Sequence, residues 1–494
     1  MGQSTREDER TSGFAGLLDR YFEISARGST IGREIRGGLV TFFAMSYIIV
    51  INPLILGTVP DGTGNFIGGI EELAVPRVAA TTALVAGVLC IAMGLVARFP
   101  LAIAAGMGLN AVVAYSIAAL PDAGLTWADA MGIVVLEGII MLVLVLTGFR
   151  QAVFRAVPFE LKMAISVGIG LFIAFVGLVN AGIIRIPASM ATPVELGLNG
   201  SLGGWPSLIF VIGLFTAGIL WVRKVRGALL IAIVVGTGLA MLAEAFLNVG
   251  RASEDNPWGW QLNPPEISGE IISLPDFALL GHFSLLGSIE KVGIVVVLLL
   301  VFTLMLADFF DTMGTMVAVG AEAKLLDEQG NPPRTREILV VDSFGAIAGG
   351  AGSASTATAY IESAAGVGEG ARTGLSSVVV GIAFLLATLF SPIVALVPFE
   401  AATPVLVLVG FLMMAQVTGI DWKRTEVAIP AFLTILMMPL TFSIAAGMGA
   451  GFIAYVIIQV GAGRIRKVHP LMWVTSLMFV FYFVRGPIGT LLGG

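Results

Sequence analysis

Four polar side chains sit in stretches of the chain that are otherwise apolar: Asn110, Asp308, Asp311 and Glu362. Glu362 falls among threonines, alanines and a glycine in TATAYIESAAG (356–366), and the two aspartates fall in ADFFDTMGT (307–315). A carboxylate at membrane depth is costly and marks a functional position by default. Ionised, it accepts hydrogen bonds; protonated, it donates one, so a single group can couple proton uptake to ligand binding. Asp308, Asp311 and Thr315 are spaced three and four residues apart, which puts them on one helical face. No Lys or Arg stands within these motifs, so the set suits a neutral, flat ligand with N–H donors better than an anion. Each residue also admits a structural role: Glu362 as a capping acid, Asp311 as an internal hydrogen-bond partner, Asp308 as a local one, and Asn110 as a partner for broken backbone in its own segment. Asp342, in VVDSFGAIAGG, reads as the cap of the helix it opens, and Glu137 and Glu244 read as lone acids packed at interfaces.

The elements that hold these residues are membrane segments. Apolar residues make up 57% of the 494, only 12% are charged, and the mean hydropathy is +0.96, which excludes an ordinary cytosolic enzyme. Fourteen apolar stretches are predicted: 34–57, 76–98, 100–119, 128–148, 159–182, 204–222, 227–247, 289–320, 338–350, 356–369, 373–396, 402–419, 426–445 and 447–463. A further stretch, 471–484, is left unassigned. Basic residues alternate in the loops between them. Arg98, Arg150, Arg155, Arg223, Lys224, Arg226, Lys324, Arg334, Arg336, Arg372, Lys423, Arg424, Arg464, Arg466 and Lys467 fall on one side. The longest loop on the other, 248–288, carries Glu254, Asp255, Glu266, Glu270 and Asp276. This alternation places the N-terminus, and the tail 1–33, in the cytoplasm. A single cysteine, Cys90, and two distant histidines, His282 and His469, argue against thiol or metal chemistry and against a hydrolase; no cofactor is expected.

Two features divide the chain. The string VPFE occurs at 157–160 and again at 397–400, just before the fifth stretch of each half. Seven segments per half bring the second copy in from the opposite face, the inverted repeat of secondary transporters. The third stretch of each half is also unfit for an ordinary helix: 100–118 opens on Pro100 and contains Gly106 and Gly108, while 349–370 is crowded with glycine, serine and threonine. Such paired breaks point to a binding site near the midplane, since backbone leaving a helix there must be buried in protein or line a cavity.

The strings AMSYIIVINPLIL (44–56), AAGMGLNAVVAY (104–115), FFDTMGTMVAVG (309–320), TAYIESAAGVGEGARTGL (358–375) and IPAFLTILMMPLTFSIAAG (429–447) cover the membrane region in order. In this set the chain resembles the nucleobase–cation symporter-2 family and, within it, the AzgA-like purine permeases. The resemblance implies an all-α polytopic fold of fourteen spans in a 7+7 inverted repeat, with short strands in spans 3 and 10. It implies a core domain (34–148 and 289–396), a gate domain (149–247 and 397–463), an external loop (248–288) and a C-terminal segment (464–494). It places purine binding on Asp311, Glu362 and Asn110, with backbone groups at Ala111, Ile361 and Ser363. SAST at 353–356 and GARTG at 370–374 depart from the family pattern at Ser353 and Ala371, beside the site but not in its carboxylates.

The function expected is import of a purine base (adenine, guanine or hypoxanthine) by proton symport across the cytoplasmic membrane, with alternating access and no enzymatic step. Asp311, Glu362 and Asp308 are the candidates for the coupling proton. Membrane lipid and a homodimer through the gate domain are the expected partners, and nucleic acid is not one. The alternative is an anion transporter or channel of the same architecture, which the absence of a basic residue in the site disfavours.

Overall fold

The computed structural model describes residues 14–491 apart from 121–122, 148–156, 188–191, 254, 262, 266–271 and 329–330. Arg150, Arg155, Glu254, Glu266 and Glu270, used above to orient the chain, lie outside the described residues, as does the start of the expected tail. A short helix α1 (Phe14–Phe22) precedes a bent pair, α2 (Ile31–Met45) and α3 (Ile48–Gly57), and then α4 (Glu71–Ala92), extended by a wider turn to Ala97. There follow strand β1 (Ile103–Ala105), α5 (Met107–Ala111) with a wider turn to Ala118, α6 (Trp127–Leu146), α7 (Phe159–Asn180), a two-residue hairpin pair β2 (Ile184–Arg185) and β3 (Glu195–Leu196), α8 (Gly204–Val222) and α9 (Ala228–Leu247). The second half holds α10 (Gly287–Val292), α11 (Ile294–Glu322), α12 (Thr335–Ala351), β4 (Ala357–Ala359), α13 (Ser363–Gly368), α14 (Gly374–Ala387), α15 (Phe399–Ala402), α16 (Pro404–Met414), α17 (Thr425–Leu440), α18 (Ile444–Gly461) and α19 (Pro470–Leu491).

Ten helical segments among the described residues are long and apolar enough to cross a bilayer, so the chain is an integral, multi-pass membrane protein. The other four stretches expected to span are built differently. Residues 100–119 and 356–369 are each a strand followed by a short helix, while 338–350 and 426–445 fall in helices of 17 and 16 residues. The unassigned stretch 471–484 lies in α19, which docks on α18 through Ser476 Oγ donating to Phe452 O at 3.1 Å and through the Phe452–Phe479 ring pair.

The two strand–helix units meet. β1 and β4 pair antiparallel, Ile103 opposite Ala359, Ala104 opposite Thr358 and Ala105 opposite Ala357, and every strand residue is buried. Gly106 N donating to Thr356 O and Tyr360 N donating to Ala102 O, at 2.8 and 2.9 Å, close the ladder at both ends. In a bilayer no water satisfies backbone groups released by a broken helix; here each break satisfies the other. Helices α2, α4, α6, α11, α12 and α14 pack around this pair, while α7, α8, α9, α16, α17 and α18 form a second group.

Glycine brings the helices of each group to backbone contact. Gly94 lies against the Gly374 carbonyl and Gly87 against Gly381, seven residues on, so α4 and its extension run flush along α14. In the second group α7 crosses α16 where Gly170 faces Gly410. These two glycines are 240 residues apart (170 to 410), the offset of the two VPFE strings (157 to 397). Both strings do the same local job: Pro158 and Pro398 stand just before the helices that start at Phe159 and Phe399, where proline's missing N–H costs nothing. A Cβ at Gly170 would sit 2.7 Å from Met413 Cβ and 2.8 Å from Gly410 O. Gly170→Val is therefore expected to destabilise the protein by about 1–3 kcal/mol through overpacking, read as a lower unfolding temperature in detergent, whereas Gly218→Val, at a glycine with open space around it, leaves that temperature unchanged.

Candidate functional site

The strand pair positions a set of polar side chains contributed by four elements. Glu362 follows β4 and precedes α13, half-buried, and its Oε1 accepts a hydrogen bond of 2.6 Å from the Tyr47 hydroxyl. Tyr47 stands at the bend between α2 and α3 and is itself buried. A phenol donating to one carboxylate oxygen holds that carboxylate in place, and its remaining lone pairs can accept further N–H donors. Asp311, on α11, is exposed and lies close enough to Glu362 for their charges to interact. Thr358 Oγ1 of β4 approaches Asp311 Oδ2 at 3.5 Å. Among the described residues no Lys or Arg pairs with Asp311 or Glu362.

The expected shared face on α11 divides. Asp308 and Thr315 are buried, whereas Asp311, Gly314 and Ala318 are exposed, at spacings of three and four, and form a strip running toward the Glu322 end of the helix. Ile361, 47% exposed, lies beside Glu362. Asp311 and Glu362, accessible at the surface yet closely surrounded by other groups, mark a recess, or crevice. The two helix groups also touch directly: Asn180, the last residue of α7, donates to the Tyr115 hydroxyl at 2.9 Å, and Tyr115, Phe172 and Phe175 all pack edge-on against Phe442.

Asn110 sits behind the crevice wall, fully buried in α5. Its Nδ2 donates to Asn52 Oδ1 at 3.0 Å, and Asn52 Nδ2 donates in turn to Thr82 Oγ1 and Ala354 O. Asn110 Oδ1 has no hydrogen-bond partner among the described residues. Ala111 is buried, and so is Ser363, whose hydroxyl accepts from Ala102 N and donates to Tyr360 O, lashing the end of β4 to the approach to β1. The Tyr360 hydroxyl donates to Ala105 O. The structure thus brings Asp311, Glu362 and Ile361 to the crevice, and places Asn110, Ala111, Ser363 and Asp308 in the packed layer that supports it.

Three acids read from the sequence find other partners. Asp342 caps nothing: α12 begins at Thr335, seven residues earlier, and Asp342 faces inward to accept from Thr312 Oγ1 at 2.6 Å. Glu137 of α6 accepts from Thr356 Oγ1 at 2.7 Å, at the base of β4. Glu244 anchors the long loop after α9, accepting from Trp260 Nε1 and Gly250 N. That loop also carries Asp276, whose carboxyl is held below the usual carboxylate range by the Arg77 guanidinium donating to it at 2.7 Å. Sequence reasoning missed Tyr47, Asn52 and Glu34. Glu34 is buried at the start of α2 and accepts from Arg372 N and Thr373 N, holding the GARTG segment in place.

A strand pair between two broken helices, with carboxylates beside it, marks a polar site within the membrane region of a multi-pass protein. Residues 32–450 match the Permease family, and the chain belongs to it, as the nucleobase–cation symporter-2 motifs imply. It is 38% identical over 471 residues to the guanine/hypoxanthine permease PbuG of Bacillus subtilis, covering 94% of this chain and 99% of that one. It is 36% identical over 482 residues to the adenine permease AdeP of Escherichia coli, covering 97% and 99%. Among solved structures, the transmembrane domain of the cyanobacterial bicarbonate transporter BicA superposes with a TM-score of 0.54 at 18% identity over 85% of this chain and 97% of that one, a likeness of fold alone.

The crevice makes a labelling prediction. Native Cys90 is buried with its thiol donating to Ile103 O, so it stays silent. Gly314→Cys, on the exposed strip, is expected to react with a water-soluble maleimide about tenfold faster or more than Thr312→Cys, two residues away but buried; equal rates would show that the strip does not line water.

Proposed function

We propose that this protein imports a purine base together with a proton, by alternating access of a core domain (34–148 and 289–396) against a gate domain (149–247 and 397–463). The observation that carries the reading is the pair of unneutralised carboxylates, Asp311 and Glu362, facing one crevice in a chain more than a third identical to permeases named for guanine, hypoxanthine and adenine. Purines present N–H donors along one edge, and two carboxylates held by a rigid strand pair are acceptors spaced to take them. Ile361 borders the site in this reading, with Asn110 and the backbone at Ala111 and Ser363 backing it from the packed layer, and Asp311, exposed where Glu362 is pinned by Tyr47, takes the coupling proton.

The domain assignment is supported by the two helix groups and by the offset of 240 residues (170 to 410) that relates the crossing glycines, as a fourteen-segment, 7+7 inverted repeat requires. The crevice opens toward the ends that carry Arg98, Arg226, Lys324 and Arg372, the basic face expected to lie in the cytoplasm. In this orientation the Tyr115–Phe442 cluster seals the outside, and the structure stands inward-open in the cytoplasmic membrane. Carboxylates without a cationic partner oppose the anion reading, which rests on the fold alone.

In proteoliposomes, an inward proton gradient is expected to drive accumulation of at least one of adenine, guanine and hypoxanthine, and Glu362→Gln and Asp311→Asn each abolish it in folded protein. Full gradient-driven uptake by both variants would remove the carboxylates from the site. Tyr47→Phe keeps the ring but frees Oε1 of Glu362. Its expected effect is a rise in apparent KM of about tenfold or more, the loss of a hydrogen bond to a charged group worth about 2 kcal/mol, with the transporter's abundance unchanged.

A further inference from the structure

From Asp311 a line of side-chain oxygens runs inward, and the binding reading needs only its first member, Asp311 itself. Asp311 Oδ2 lies 3.5 Å from Thr358 Oγ1, Thr358 Oγ1 lies 2.9 Å from Thr312 Oγ1, and Thr312 Oγ1 lies 2.6 Å from Asp342 Oδ1. Thr312, Thr358 and Asp342 are buried, whereas Asp311 opens onto the crevice. The line therefore joins a water-facing carboxyl to one sealed in the packing between α11, β4 and α12. Glu362 lies beside the outer end, Glu137 of α6 within electrostatic reach of the inner end, and Asp308 one turn back on α11.

Hydrogen counting decides what the line can do. It has three oxygen–oxygen contacts, but its two hydroxyls bring only two hydrogens. A third hydrogen fills the line, and only a carboxyl can bring it. With that proton on Asp311, each group donates inward: Asp311 to Thr358, Thr358 to Thr312, Thr312 to Asp342. With it on Asp342, every bond is reversed and Asp311 is an anion. We propose that Asp311 and Asp342 are the two stations of a one-proton relay through Thr358 and Thr312. In transfer the O–H bond of Asp311 breaks as one forms on Thr358 Oγ1. The hydrogen of Thr358 passes to Thr312, and that of Thr312 passes to Asp342 Oδ1. One proton leaves Asp311, one arrives on Asp342, and each hydroxyl keeps a single hydrogen. Storing the proton at Asp342 leaves Asp311 able to accept an N–H of the base while the proton stays in the protein.

The relay rests on the proton-coupled reading above, and the test separates the two. Purified protein in liposomes is assayed for gradient-driven accumulation, for acidification of the lumen evoked by external base, and for exchange of labelled against unlabelled base without a gradient, using whichever of adenine, guanine and hypoxanthine is transported best. Thr312→Val keeps the shape of threonine and removes the hydroxyl; Thr312→Ser restores it. In Thr312→Val, accumulation and base-evoked acidification are expected to fall about tenfold or more, the scale of a lost proton-transfer group. Exchange stays within about twofold, as for a group that does not touch the ligand. Thr312→Ser recovers accumulation and acidification and keeps exchange at the wild-type level. Wild-type accumulation and acidification in Thr312→Val would overturn the relay while leaving proton coupling intact. Loss of exchange in both variants would overturn it in favour of a packing role. Exchange without acidification in the wild type would overturn the coupling reading and the relay with it.

Discussion

The antiparallel pairing of Ile103–Ala105 with Ala357–Ala359 is the constraint on which the rest of the molecule depends. Two segments of the membrane region stop being helices where they meet, and each released N–H and C=O would cost several kcal/mol in hydrocarbon. Mutual pairing removes that cost only if both breaks occur at the same depth and run in opposite directions. Everything near the site follows from this geometry. Alanine, threonine and isoleucine fill the strands because the helices around them leave room for little else, and Ser363 and Tyr360 spend their hydroxyls tying one break to the other. Glu362 is carried at the end of the pair, where backbone and side chain are fixed together.

Rigidity and access are thus separated by a few residues. The supporting layer, with Asn110, Asn52, Thr82 and Ser363, is sealed and internally bonded. Asp311 and Ile361 stand free of it, on the side where α11 turns an exposed strip to the crevice. A binding site is served by this division, because ligand groups must be held closely by a shell whose own rotamers are locked. Asn180 donating to Tyr115 joins the two helix groups directly.

Much of this was legible in the sequence, and the exceptions have physical causes. Asp311 and Glu362 announced themselves because charge in an apolar run has no cheap structural excuse, and the paired breaks at 100–118 and 349–370 were visible as proline and glycine. Tyr47 was not visible, since an aromatic residue in AMSYIIVINPLIL reads as packing and the bend at Ser46–Tyr47 has neither glycine nor proline to mark it. Asp342 was misplaced because its helix starts at Thr335, among charged residues that look like loop. The face shared by Asp308, Asp311 and Thr315 was the right periodicity seen too coarsely: a stripe that is one surface on a helical wheel is cut in two when β4 packs along its edge.

The crossing of Gly170 and Gly410 has a consequence of another kind. Two positions related by the spacing of a duplicated string meet one another in space, which happens only on an axis of symmetry. In a chain half this length that assembled as an antiparallel pair, one codon would have supplied both glycines, and any change there would have struck the crossing twice. In a single chain the two positions are coded separately, so each can be altered alone. With backbone pressed on backbone, a Cβ at either position meets the other helix, so a single change on either side is felt by both.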